Sequence, residues 1–95
     1  MKVQTKSGFV CDVDINKAKD WRFVKALAMF DDNATVINGM AVAVPFLLGE
    51  KGEKALMEHV KTKEGNYPAD VMLREFREIM DNVGSEAKKS QSSQE

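Results

Sequence analysis

His59 is the only histidine and Cys11 the only cysteine among 95 residues, so the side chains best suited to act as base, nucleophile or metal ligand occur once each. A general base needs a partner and a concave site. His59 stands beside Ala55, Leu56 and Val60 at helical spacing, with Glu58 pointing off that face. That pattern reads as a helix side chain at the edge of a core, and no second metal ligand has useful spacing. Cys11 falls on the inward face of an alternating segment, where a small thiol packs and stays unreactive. A lone cysteine also excludes an internal disulfide or a cysteine cluster within one chain. Asp12 with Asp14, and Asp31 with Asp32, are the remaining pairs that hydrolysis or a divalent cation would use. A calcium loop needs several oxygen ligands at regular spacing around a glycine turn, and neither pair supplies them. Gly49 and Gly52 lack the lysine and Ser/Thr order of a phosphate-cradling loop. The expectation is no catalytic centre, no metal and no cofactor.

Binding is the chemistry left. The stretch Ile37 to Leu48 (INGMAVAVPFLL) is apolar on every side from Met40 onward, and a helix apolar all round must be buried on several sides. A chain this short has little material to wrap it, so the segment points to a partner or to a second copy. Met40, Val44, Phe46 and Leu47 are the candidate partner-binding residues there, with Trp21 as a fifth. Trp21 has two readings, a core filler first and an interface anchor second. Met29, Met40, Met57, Met72 and Met80 suit adaptable packing, which serves a core or a permissive binding surface.

The elements that position these residues follow from periodicity. Val3, Thr5, Phe9, Cys11, Val13 and Ile15 alternate on either side of Lys6-Ser7-Gly8, the pattern of a half-buried hairpin over about residues 2–15. A three-residue loop sets Val3 opposite Cys11 and Thr5 opposite Phe9, and puts Gly8 at the left-handed position that closes it. Asn16 is the expected cap of a first helix over about 17–30, which Asp31-Asp32-Asn33 stops. A second helix, capped by Asn33 or Thr35, is expected over about 35–48 with a kink or restart near Val44 imposed by Pro45. Gly49 suits its C-cap, and a third helix follows over about 50–61. After the polar loop Thr62 to Asn66, Pro68 opens a fourth helix over about 68–83. Its apolar stripe is Met72, Phe76, Ile79, Met80 and Val83, its wet face Arg74, Glu75, Arg77, Glu78 and Asp81, and Gly84 ends it. Residues 85–95 have no large apolar side chain and are expected to be disordered. The fold class is α+β and mainly helical, a hairpin packed on about four short helices in a single domain over 1–84.

Composition narrows the class further. The chain is 43% hydrophobic and 31% charged, an ordinary globular balance, with a formal charge of -1 and no long basic block. No nucleic-acid footprint is visible. The start Met1 to Lys6 has no apolar region behind its charge, so no signal peptide is expected, and the twelve-residue apolar run is too short for a membrane span.

The order of features resembles a family. The opening KVQTKSGFVCDVDI, the Trp21-containing helix, LLGE at Leu47 to Glu50, Leu56-Met57-Glu58-His59-Val60, the loop KTKEGNYP and the last helix REFREIMDNVG look like the small tail assembly chaperones of long-tailed (siphovirus-type) bacteriophages and prophages of Gram-positive bacteria. The similarity spans residues 1 to about 84. It implies a non-enzymatic protein of the host bacterial cytoplasm that binds the long helical tape measure protein, keeps it soluble, helps recruit tail tube protein subunits, and is absent from the mature virion. It also implies a longer form made by frameshifting in some members, near positions such as Lys88-Lys89. A homo-oligomer is expected; nucleic acid and membrane are not expected partners. Pro45 and the basic start Lys17-Ala18-Lys19 depart from the family pattern. The alternatives are a small prophage DNA-associated regulator, for which Arg74 and Arg77 lie too close to Glu75, Glu78 and Asp81, and a structural tail subunit, for which one hairpin is poor material.

Overall fold

The alternation around Lys6-Ser7-Gly8 builds the hairpin in the expected register. In a computed structural model that describes the backbone of residues 1–92 and the side chains of residues 1–84, β1 (Lys2–Gln4) pairs antiparallel with β2 (Val10–Asp12), Val3 opposite Cys11. Thr5 N–H donates to the Phe9 carbonyl at 2.9 Å and Gly8 adopts φ +96°, closing the three-residue loop. Val3, Thr5, Phe9 and Val13 are buried and Cys11 half-buried, so one face of the hairpin covers the core. The strands are shorter than 2–15 because the chain turns helical at Ile15.

The expected first helix is divided. α1 (Ile15–Ala18) is capped by Asp14, whose carboxylate accepts from Asn16 N–H at 2.9 Å; Asn16 itself is not the cap. α2 (Trp21–Leu27) is capped by Asp20, which accepts from Arg22 N–H at 2.8 Å. A short carboxylate in mid-segment competes for backbone N–H groups, and at Asp20 that competition ends one helix and starts the next. A 3₁₀ turn, Ala28–Asp31, follows. Asp32 then makes the corner: its carbonyl accepts from Thr35 and Val36 N–H, and its carboxylate from Ala34 N–H at 2.8 Å. Thr35 stands at the cap position of the next helix, but its hydroxyl turns back to the Met29 carbonyl at 2.9 Å.

α3 (Val36–Val60) runs through Pro45 without leaving helical geometry and breaks at Gly49, with φ 77° and ψ 170°. The expected kink near Val44 is absent, while Gly49 separates the two helices expected over 35–48 and 50–61. Proline leaves the carbonyl of Ala41 without its helical donor, and Ala41 is exposed, where water can supply one. Gly49 occupies a region almost closed to residues with a Cβ, and nothing lies within 4 Å of where that Cβ would be. Gly49→Ala should thus destabilise the fold by about 1–3 kcal/mol through backbone strain alone, read as a lower urea midpoint with an unchanged slope.

α4 (Ala69–Ser92) starts one residue after Pro68 and presents Phe76, Ile79 and Val83 to the core. Its backbone stays helical past Gly84, beyond the expected end. Against the disorder expected over 85–95, the backbone over 85–92 continues this helix; the expectation for 93–95 lies outside the described residues. Glu75, expected on the wet face, is 4% exposed. The core gathers Val3, Phe9 and Val13 of the hairpin, Phe23 of α2, Val44, Leu47 and Leu56 of α3, and Phe76 and Ile79 of α4. The result is a mainly helical α+β fold, with the hairpin lying on the helices.

Candidate protein-binding surface

The apolar helix is buried along one face and bare along the other. At 100° per residue Val36, Gly39, Met40, Ala43, Val44 and Leu47 gather on one side of α3, and all six are buried. Ile37, Asn38, Ala41 and Val42 fall opposite and are exposed, Ile37 by 57% and Val42 by 48%. From Asn33 to Gly49 there is no charged residue. As far as Gly49 the solvent side of α3 is thus as uncharged as its core side, the character of a contact surface.

This geometry corrects the candidate residues. Met40, Val44 and Leu47 belong to the core, at 8%, 2% and 2% exposure, and are unavailable to a partner. Phe46 is half-buried, its ring 6.5 Å from that of Phe23, with the Arg22 guanidinium 4.9 Å and the Lys17 ammonium 6.0 Å from its centroid. Trp21 is 70% exposed, so its reading as a core filler is overturned. Gly39 explains which side turns inward. A Cβ there would lie 2.8 Å from the Ala26 carbonyl oxygen and 2.9 Å from Met29 Cβ, so α2 and α3 cross in near backbone contact at that residue. Sequence pattern missed this because every alternative side of the helix is equally apolar.

Beside the bare face lies a groove of about 270 Å³ lined by Ile37, Met40, Val44, Met57, Tyr67 and Met72. The half-buried thioethers of Met57 and Met72 and a half-exposed tyrosine make a wall that adapts to varied apolar side chains. A wider depression of about 570 Å³ is lined by Lys6, Arg74 and Arg77 and equally by Asp70, Glu78 and Asp81, a mixture that favours neither anion nor cation.

Glu75 belongs to a polar clasp that sequence reasoning placed in solvent. Thr5 Oγ1 donates to its Oε1 at 2.9 Å and Ser7 Oγ at 2.6 Å, while His59 Nε2 stands 2.8 Å from Ser7 Oγ and 4.0 Å from the carboxylate. Ser7 has one proton, and giving it to Glu75 makes His59 Nε2 the donor to Ser7. In a nucleophile triad the carboxylate instead orients the imidazole through its far nitrogen. The wiring found here satisfies a buried carboxylate and ties the hairpin loop to α3 and α4. Next to it Lys6 N–H donates to Glu78 at 2.6 Å, a second tie one turn along. Cys11 lies on the opposite strand. Burial and then the Asp12 charge push its thiol above the ordinary range, which keeps it a poor nucleophile.

Among the described residues no group of three or more His, Cys, Asp or Glu side chains gathers to hold a metal ion, and no helix is long and apolar enough to cross a membrane. Set against family models, curated proteins and solved structures, the chain matches none of them.

Proposed function

We propose that this protein is a tail assembly chaperone of a long-tailed bacteriophage or prophage, acting in the host cytoplasm and absent from the finished particle. It holds an amphipathic helix of the tape measure protein on the bare face of α3 and the adjoining methionine groove, and brings tail tube subunits to it. The observation that carries this reading is the exposed, uncharged face Ile37–Ala41–Val42 beside the Met57 and Met72 wall. A helix laid there would bury apolar surface that water now covers on both partners. The resemblance to the chaperone family over residues 1 to about 84 is what suggests the client.

Co-expression with the long helical protein encoded beside it, followed by size-exclusion chromatography with light scattering, tests the proposal. The partner should become soluble and co-elute with this chain. Ile37→Asp with Val42→Asp should abolish co-elution and leave circular dichroism unchanged, because both side chains project into water. Aspartate at Val44 or Leu47 would instead unfold the core and say nothing of binding. A partner that stays insoluble beside the folded wild-type chain rejects the chaperone reading.

A further inference from the structure

We infer that the docking face continues from α3 across α1 and α2, and that it selects a helix carrying carboxylates along one edge. The inference rests on α3 being a helix-docking face and adds the charge pattern of the helix it takes.

Residues 15–27 hold Lys17, Lys19, Arg22 and Lys25 against the single carboxylate of Asp20, in a chain whose formal charge is -1. Arg22 is already committed. Its Nε and Nη2 each lie 3.0 Å from an Asp20 oxygen, and these bonds hold the Asp20 carboxyl down to about 2. Lys17, Lys19 and Lys25 make no ion pair among the described residues. The lysine-bearing edge is joined to α3 through Phe46, on whose ring both Lys17 and Arg22 sit. Val42 lies one helical turn before Phe46 and is bare. On α2, Trp21 lies three residues before Val24 and four before Lys25, and Trp21 and Val24 are exposed by 70% and 44%.

An apolar floor bordered on one edge by unpaired lysines matches an amphipathic helix with Glu or Asp on the matching edge. A second copy of this chain matches less well. It would present the same lysines, and its α3 has no carboxylate from Asn33 to Gly49 to answer them. A nucleic acid would meet the lysines but leave Ile37, Val42 and Val24 without a partner, and the one arginine here is taken by Asp20.

Trp21 is the only tryptophan, so its emission reports on this face alone. The probes are two tryptophan-free amphipathic peptides of about 20 residues, long enough to hold a helix, with one leucine face and edges of Glu in one and Lys in the other. Titrated into the full-length protein at low salt, the Glu-edged peptide should shift Trp21 emission to the blue and bind about tenfold tighter than its twin. The advantage should shrink as salt screens it. Lys17→Glu with Lys25→Glu should invert the preference, and Ile37→Asp should remove both complexes. Equal binding of the two peptides, or binding without a Trp21 shift, overturns the inference. So does tighter binding of a thymidine oligonucleotide than of the Glu-edged peptide, or self-association that excludes both peptides. If neither peptide binds while the tape measure protein still co-elutes, this inference fails and the chaperone reading stands. If the Glu-edged peptide binds as described while that protein stays insoluble, the chaperone reading fails and the acidic-edge preference stands.

Discussion

Phe76→Ala should lower the unfolding free energy by about 3–5 kcal/mol, measured as a drop in the urea midpoint with little change in slope. Phe76 is completely buried, as are Leu56 and Ile79 in the same core, and its ring centroid lies 6.2 Å from that of Phe30. It stands where α4 meets the other helices and the hairpin. The loss includes a term for the cavity as well as the lost transfer of the ring from water. A chain of this length has a total margin of only about 5–14 kcal/mol, so the variant should sit near its midpoint under mild denaturant. A change below about 1 kcal/mol, the scale of an ordinary surface substitution, would mean that α4 is not docked as described. Ile37→Ala is the fitting control, since its side chain leaves a solvent face and the core keeps its shape.

The double substitution Thr5→Val with Ser7→Ala should destabilise by about 3 kcal/mol, although it removes only two hydroxyls. Both hydroxyls donate to Glu75, which is 4% exposed, and without them the carboxylate keeps only His59 at 4.0 Å. A buried charge stripped of its donors loses their bonds and does not regain water. Glu75→Leu added to that background should restore most of the stability, because an apolar side chain of similar volume needs no donors. Four urea curves, for the parent, the double variant, Glu75→Leu alone and the triple variant, give the coupling directly. Additive effects across the four would show that the hydroxyls and Glu75 are not coupled.

These two expectations bear on the proposed function because they separate the folding machinery from the binding surface. The clasp and the Phe76 core hold the hairpin and α4 against the inner side of α3. The outer side, Ile37 to Val42, then stays available with Trp21 and the lysines of α1 and α2. Under the proposed function, binding and release of a client would then leave the folding contacts untouched. Substitutions on the outer side should change binding and leave the urea midpoint in place.

The amino-acid sequence by itself determined the local structure wherever one physical requirement dominates. Period-two alternation around a glycine that accepts positive φ defined the hairpin and its register, since slipping by one residue would turn Val3, Phe9 and Val13 to water. The apolar stripe of α4 and the loop before Pro68 were legible for the same kind of reason. The apolar run Ile37 to Leu48 pointed to more burial than one face of a helix needs. Tertiary structure decided everything that depends on which of two similar options meets a neighbour. Asp20 was one polar residue among several until its carboxylate capped α2. Gly49 was legible as the end of one helix and the start of the next, whereas the kink expected at Pro45 did not form, because Ala41 is exposed to water. Glu75 has the periodicity of a wet face and was drawn inside by hydroxyls some seventy positions earlier in the chain. Met40, Val44 and Leu47 went inward, and Ile37, Ala41 and Val42 outward, because Gly39 alone lets α2 approach to backbone contact. An all-apolar helix does not encode which way it faces. Close packing against a neighbour supplies that, and the side it leaves bare is the one free to bind.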